Sequence, residues 1–310
     1  MASIALKVDV DTWLGTRDGV PRLLETLGRL DVPATFLFSL GPDHTGRAIR
    51  RVLRPGFLSK VRRTSVVSHY GIRTLLYGTL LPGPRIARRC GDLMREVARR
   101  GFEVGVHAYD HVAWQDGAEG ASEAWTRRQM QRACEAFTDV FHEPPRIHGA
   151  AGWQVNAFVP ALERELGFHF ASDVRGTSPF LPAHARPSAP LEARTAAPAV
   201  PQLPTTLPTL DELIGTESLG SRDPVDELLE RTRLEPARDE VFTLHAEIEG
   251  GAYLASFERL LRGWREQGRR LEALGGQFAR LDPTRLPTLP IQKGRAPGRS
   301  GTLATQGLAA

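Results

Sequence analysis

The hydrophobic positions of the chain alternate between strand-like runs and helix-like stripes. A continuous apolar run at residues 4–10 predicts a buried strand, and the leucines of residues 19–30 fall on one face of a helix. The alternation recurs, with strands predicted at 34–40, 102–106, 146–152, 168–174, 240–245 and 270–274 and helices at 85–100, 123–141, 155–166 and 253–267. Strands that alternate with helices indicate an α/β fold with a parallel sheet, either a closed or partly closed barrel or an open doubly wound sheet.

Two segments depart from this alternation. Residues 44–91 contain no Asp or Glu but many arginines between short apolar pieces. Such a block of one charge sign attracts phosphate-bearing partners, either nucleic acid or an anionic lipid surface. Residues 283–310 are rich in Pro and Gly without periodicity, which is typical of disorder. We therefore expect one domain over residues 1–282 with a basic, apolar insertion at about 44–91, followed by a disordered tail.

Composition bears on the compartment. The chain has 2 cysteines, too few for a disulfide framework, which favours a reducing compartment. Its first residues enter a predicted strand and lack the pattern of a signal peptide. No apolar stretch approaches the ~18 residues of a membrane-spanning helix. These observations predict a cytoplasmic protein.

Polar clusters follow four of the predicted strands directly. They are Asp9 with Asp11, His107 with His111, Asp173 with Arg175, and His245 with Glu247 and Glu249. Each cluster alone has a structural explanation, such as a cap, a chance pair or a salt bridge. Together they favour an active site, because the working groups of α/β barrels lie at the carboxyl ends of the strands.

The types and spacing of these residues indicate metal chemistry. Asp9 and Asp11 point to the same side of a strand. The spacing of His107 and His111 is expected to place both imidazoles on one face of a helical turn. One carboxylate and two histidines form a common ligand set for a divalent cation with open positions. Asp9 then remains as a base and His245 as an acid.

These clusters form a motif series that resembles NodB-type polysaccharide deacetylases. The series comprises DVD at 9–11, HAYDH at 107–111, GAAGW at 149–153, DVRG at 173–176 and LHAEIEGG at 244–251. Longer segments, above all DVDTWLGTRDGVPRLLETL and HAEIEGGAY, are most similar to one branch of the family. That branch comprises deformylases acting on undecaprenyl phosphate 4-deoxy-4-formamido-L-arabinose. The resemblance runs from about residue 3 to residue 280 and implies a distorted (β/α) barrel of about seven strands.

The resemblance also implies a role for each site residue. Asp9 would be the general base, His245 the general acid, and Asp11, His107 and His111 the ligands of one divalent cation, which could be zinc, cobalt, manganese or iron. The family's third motif carries an arginine that holds the base, whereas GAAGWQVN has none. We expect Arg175 to replace it. Supporting or substrate-binding roles are expected for Trp153, Asp173, Glu247 and Glu249.

The implied activity is hydrolysis of the formamide, releasing formate and the 4-amino-4-deoxy-L-arabinose lipid that modifies lipid A and gives polymyxin resistance. The implied partners are the polyprenyl-phosphate-linked sugar and the cytoplasmic face of the bacterial inner membrane, reached peripherally through the insertion. An alternative is a deacetylase of N-acetylated sugars or polysaccharides with the same metal site. A nucleic-acid-binding protein is a further alternative. It would leave the four clusters unexplained, and residues 47–89 offer few aromatics for base stacking. No nucleic-acid partner is therefore expected.

Overall fold

A parallel sheet forms the centre of the computed structural model, which describes residues 2–48, 76–183, 199–214, 216, 219–233 and 237–308. The strands are β1 (Ser3–Val10), β2 (Thr35–Ser39), β3 (Glu103–Ala108), β4 (Ile147–His148), β5 (Phe170–Ala171), β6 (Leu181–Pro182), β7 (Glu240–His245), β8 (Arg270–Glu272), β9 (Thr288–Leu289), β10 (Ile291–Gly294) and β11 (Leu303–Gln306). The α-helices are α1 (Val20–Arg29), α2 (Ile86–Arg99), α3 (His111–Gly117), α4 (Glu123–Phe141), α5 (Val159–Glu165), α6 (Leu210–Leu213), α7 (Pro224–Arg233), α8 (Leu254–Glu266) and α9 (Leu274–Phe278).

The main sheet has seven strands in the order β5-β4-β3-β2-β1-β7, with β8 also pairing with β1. All of these pairings are parallel. An extended segment, residues 199–207, crosses the gap between β5 and β7. The Leu203 N–H donates to the Ala171 carbonyl at 2.7 Å, and the Thr206 N–H donates to the Val241 carbonyl at 3.1 Å. The sheet thus curls into a partly closed barrel, which confirms the predicted fold class.

The alternation of side chains along β1 explains the two layers of the core. Ile4, Leu6, Val8 and Val10 belong to the outer cluster between sheet and helices, and burying each of them contributes on the order of 1.5–3 kcal/mol. Ala5 belongs instead to the small cluster inside the barrel, together with side chains from β2, β4, β5 and β7. Lys7 and Asp9 continue the inward-facing row towards the carboxyl end of the strand.

The structure describes only part of the basic segment at 44–91. Its last part begins α2, in which Ile86, Cys90, Met94 and Val97 pack into the core. The residues on which its basic, apolar character chiefly rests lie outside the described residues; they are Arg50, Arg51, Arg54, Phe57, Leu58, Lys60, Arg62, Arg63, Val66, Val67, Arg73 and Leu75. Among the helices that are described, none is both long and apolar enough to cross a membrane.

The prediction of a disordered tail from residue 283 is wrong for the described residues up to 308. Here β9 pairs with β6, while β10 and β11 form an antiparallel pair. Leu303 packs against Trp153, and Ala304 packs against Val174 and Phe180. The segment has only a few apolar side chains, but they find buried partners far away in the sequence. Composition alone therefore underestimates its order.

Candidate active site

The carboxyl ends of β1, β3 and β7 bring the predicted site residues together. Asp9 on β1 lies in register with His245 on β7, so the candidate base and acid are on adjacent paired strands. Asp11 follows β1 directly, and His107 lies within β3. The structure thus places these predicted site residues at the carboxyl ends of the strands of one sheet.

Asp11, His107 and His111 form a candidate cation site. One ligand atom from each lies within 4.8 Å of the others. His107 Nε2 is 3.2 Å from Asp11 Oδ1, and His111 Nε2 is 3.4 Å from Asp11 Oδ2. His107 Nδ1 donates to the Gly149 carbonyl at 2.6 Å, which leaves the Nε2 lone pair directed at Asp11.

The electrostatics of this triad also fit a cation. Within the described part of the chain, Asp11 Oδ1 is buried without a hydrogen-bond donor, as expected of a ligand atom. Burial alone would raise the pKa of Asp11, but the imidazoles of His111 and His107 outweigh burial and hold that pKa well below its usual range. The donor set of two imidazoles and one ionised carboxylate suits a divalent transition metal.

The two histidines do not share a helical turn, contrary to the prediction from their spacing. His107 is in β3, whereas His111 is the first residue of α3. Asp110 caps that helix by accepting from the Ala113 N–H at 3.0 Å, and its other oxygen contacts His44 Nδ1 at 2.6 Å. A strand end and a capped helix start thus present the two imidazoles, because the chain turns sharply between them.

Asp9 is held by Lys7 rather than by Arg175. Lys7 is fully buried; its Nζ lies 3.5 Å from Asp9 Oδ2 and donates to the Ser172 carbonyl at 2.8 Å. Arg175 Nη1 instead contacts both oxygens of Glu212 at 3.1 Å. The prediction that Arg175 takes the place of the third-motif arginine is therefore wrong in its geometry. Lys7 could have been found in the sequence as the one basic residue of the first strand, two positions before Asp9.

His245 is surrounded by carboxylates. Its Nδ1 lies 3.9 Å from Asp211 Oδ1, and its backbone N–H donates to Glu249 Oε2 at 2.8 Å. Burial lowers the pKa of His245, but the charges of Asp211, Asp11 and Glu249 outweigh burial and raise it overall. The ring meets Trp153 edge-on, with centroids 6.4 Å apart. The surroundings favour the protonated imidazole that a general acid requires.

Glu247 and Glu249 contact backbone groups of other site residues. Glu247 Oε1 accepts from the Asp11 N–H at 3.2 Å and from the N–H and hydroxyl of Thr12 at 2.8 and 2.7 Å. Burial and the charge of Asp11 raise the pKa of Glu247 to about 8, and burial raises the pKa of Glu249 to about 7. Glu247 therefore fixes the turn that carries Asp11, and Glu249 fixes the start of the loop after His245.

Asp173 and Trp153 are enclosed. Asp173 joins a fully buried cluster in which His148 Nδ1 lies 2.7 Å from Glu163 Oε1 and 3.0 Å from Asp173 Oδ1. Asp173 Oδ1 also accepts from the Ala150 N–H at 2.7 Å, which ties the third-motif loop to β5. Trp153 is only 1% exposed. The surroundings of both side chains support positioning roles, and sequence reasoning did not connect His148 and Glu163 with Asp173.

This cluster should make the folded protein less stable as the pH becomes alkaline. Burial lowers the pKa of His148, but Asp173 and Glu163 outweigh it and raise the pKa from 6.5 to about 10. Because the folded-state pKa exceeds the unfolded one, the stabilising contribution is complete below pH ~6.5 and is lost as the pH rises through ~10. We expect His148→Asn to flatten the fall in urea midpoint over this range. His169→Asn, at an exposed histidine, is the control; equal slopes for wild type and His148→Asn would contradict the prediction.

Comparisons with known proteins agree with the predicted family and fold. The polysaccharide deacetylase family model matches residues 2–171. A protein of Shewanella sediminis named as a probable 4-deoxy-4-formamido-L-arabinose-phosphoundecaprenol deformylase is 34% identical over 84% of this chain and 81% of its own length. A protein of Wigglesworthia glossinidia brevipalpis with the same name is 31% identical, covering 94% of this chain and 98% of that protein.

A solved structure shows the same fold. The structure of a candidate polysaccharide deacetylase from Mycobacterium smegmatis superimposes with a TM-score of 0.62 at 18% identity, covering 95% of each chain. At this identity the likeness concerns the fold alone. The family match and the two relatives confirm the family predicted from the motifs. The chain therefore belongs to the polysaccharide deacetylase family of hydrolases.

Proposed function

We propose that this enzyme hydrolyses the formamide of undecaprenyl phosphate 4-deoxy-4-formamido-L-arabinose in a metal-dependent reaction. The observation that carries the proposal is the meeting of Asp9, Asp11, His107, His111 and His245 at one edge of the barrel. The substrate is proposed because two relatives that match most of the chain are named as deformylases of this lipid. Formate and the 4-amino-4-deoxy-L-arabinose lipid would be the products.

In the proposed reaction, the cation ligands and the two proton-transfer residues, Asp9 and His245, have separate roles. A divalent cation held by Asp11, His107 and His111 would supply Lewis acidity to the amide carbonyl. Asp9 accepts the proton of the attacking water, while Lys7 holds its other oxygen. His245 then gives a proton to the departing sugar nitrogen as the carbon–nitrogen bond breaks. Water thus adds across the amide, giving one carboxylic acid and one amine.

The cellular setting follows from the proposed substrate. The released amine is an ammonium at neutral pH, which suits its use in masking negative charge on lipid A against polymyxin-like peptides. A substrate with a polyprenyl chain stays in the bilayer, so the enzyme would have to meet it at a membrane surface, which we propose is the cytoplasmic face of the inner membrane. We propose peripheral attachment through the basic insertion. On its described flank, Leu80 is 80% exposed.

The activity is tested by incubating the metal-loaded protein with the formamido lipid and following loss of the formyl group by mass spectrometry. We expect complete deformylation with added divalent metal and none after chelation. The N-acetyl analogue of the same lipid, tested in parallel, addresses the alternative deacetylase. Preferential cleavage of the acetamide would contradict the deformylase assignment.

A further inference from the structure

Two arginines share one carboxylate beside the candidate active site. Arg175 Nη1 contacts both oxygens of Glu212 at 3.1 Å, and Arg299 Nη1 lies 3.5 Å from Glu212 Oε1. Gly298 permits this approach: its φ is +80°, and a Cβ there would lie 2.0 Å from the Glu212 carbonyl oxygen. The C-terminal segment is therefore shaped at this point to bring Arg299 onto Glu212.

Arg175 and Arg299 together have more N–H donors than the Glu212 carboxylate accepts from. A guanidinium offers five N–H donors in a rigid fork. Among the described residues, no acceptor is hydrogen-bonded to Nε or Nη2 of Arg175 or Arg299. The two side chains are only 13% and 15% exposed, so water solvates them poorly. Burial accordingly lowers the pKa of Arg175 in spite of Glu212. An additional anion would stabilise both guanidinium groups.

The arginines lie one aromatic ring away from the candidate acid. The guanidinium carbons of Arg299 and Arg175 are 4.4 and 5.3 Å from the centre of the Trp153 ring, whose edge-on neighbour is His245. Glu212 follows Asp211, whose Oδ1 lies 3.9 Å from His245 Nδ1. An anion bound by the two arginines would therefore lie close to the Trp153 ring, which also contacts His245.

We propose that Arg175 and Arg299 form a binding site for the phosphodiester that joins the sugar to its polyprenyl chain. This inference rests on the proposed function, since that substrate has an amide on one side of its pyranose ring and a phosphate on the other. Guanidinium forks match phosphate oxygens in geometry as well as in charge. Glu212 holds the forks in place before the substrate arrives, so less conformational freedom is lost on binding.

The test compares two formamides that differ in the phosphate. One is the 4-formamido sugar linked to a short polyprenyl phosphate, and the other is its uncharged methyl glycoside. For Arg299→Gln, kcat/KM on the phosphate-bearing substrate should fall about 10–100-fold more than on the methyl glycoside, mainly through KM. Arg299→Lys keeps the charge but loses the fork and should lie between. Arg295→Gln, at an exposed arginine of the same segment, is the matched control and should behave as wild type.

Binding without turnover separates this inference from the proposed function. If the wild type deformylates neither substrate, the proposed activity is wrong. Calorimetric titration with a short polyprenyl phosphate still measures the affinity of the proposed phosphate site. The wild type should bind it more tightly than Arg299→Gln by a similar factor. Equal affinities of the two proteins, or equal losses on the two formamides, would overturn the phosphate site.

Discussion

Asp9→Asn is expected to abolish turnover while leaving the bound metal unchanged. Asp9 Oδ1 lies 3.7 Å from His107 Nδ1, but Asp9 is not one of the three candidate metal ligands. Asparagine keeps the shape of the side chain and cannot accept the proton, so the rate should fall by ~10²–10⁴-fold. His245→Ala should behave in the same way, because it removes the proton donor. Metal content is measured by mass spectrometry of the purified protein. Turnover is measured with the formamido lipid as substrate.

Loss of a metal ligand should remove the bound metal as well as the activity. Asp11→Ala, His107→Ala and His111→Ala should each lose metal and activity together, because each removes a donor from the candidate cation site. Asp18→Asn is the control for the Asp9 variant, since Asp18 lies nearby on the surface and pairs with Arg17. Near-normal turnover in Asp9→Asn, or full metal content in Asp11→Ala, would show that the roles have been assigned wrongly.

Lys7→Met should lower kcat about 10–100-fold with little change in KM. The Nζ of Lys7 contacts Asp9 inside the barrel, and both side chains are almost fully buried. Removing one partner of a buried pair leaves the other charge uncompensated, which costs about 3–5 kcal/mol when nothing relaxes. The Asp9 carboxylate that must accept the proton of the attacking water then has no Lys7 contact to fix its orientation.

The controls for Lys7 separate catalysis from stability. Lys7→Arg keeps the charge and should recover part of the loss in kcat, although the larger head group must fit a buried site. Lys293→Met makes the same chemical change at a surface pair with Glu119 and should leave kcat unaffected. Metal content and Tm are measured for all variants. A folded, metal-replete Lys7→Met protein with the kcat of wild type would exclude this role.

Local patterns in the sequence predict much of the scaffold. The helix at 123–141 and the strand at 240–245 have the predicted bounds. β1 differs from prediction by one residue at its start, and α2 differs by one residue at each end. The two helices have a clear period of hydrophobic positions because one face of each packs into the core, and the two strands are recognisable because every residue in them is buried. The strands β4 and β5, by contrast, contain only two residues each, since the third-motif loop and segment 199–207 take over their hydrogen bonding.

The residues that sequence reasoning missed act through partners far away in the chain. His148 and Glu163 become a charged cluster only when the loop before α5 folds back against β5. Arg299 belongs to a segment without periodicity, and its contact with Glu212 depends on a glycine turn. The sequence predicts Arg175 beside Asp9 because GAAGWQVN lacks the third-motif arginine, yet the side chain contacts Glu212 of α6. Short-range spacing carries no information on such pairings.

The register between β1 and β7 links catalysis to folding. Asp9 and His245 are register partners although nearly the whole domain separates them in sequence. A shift of one residue would turn the side chains of one strand to the opposite face of the sheet. Contacts of such long range form slowly, because a large loop must close before they contribute stability. Helices and local turns can therefore be complete while the base and acid are still apart, and recovery of activity on refolding should report the closure of this central strand pair rather than the return of helical structure.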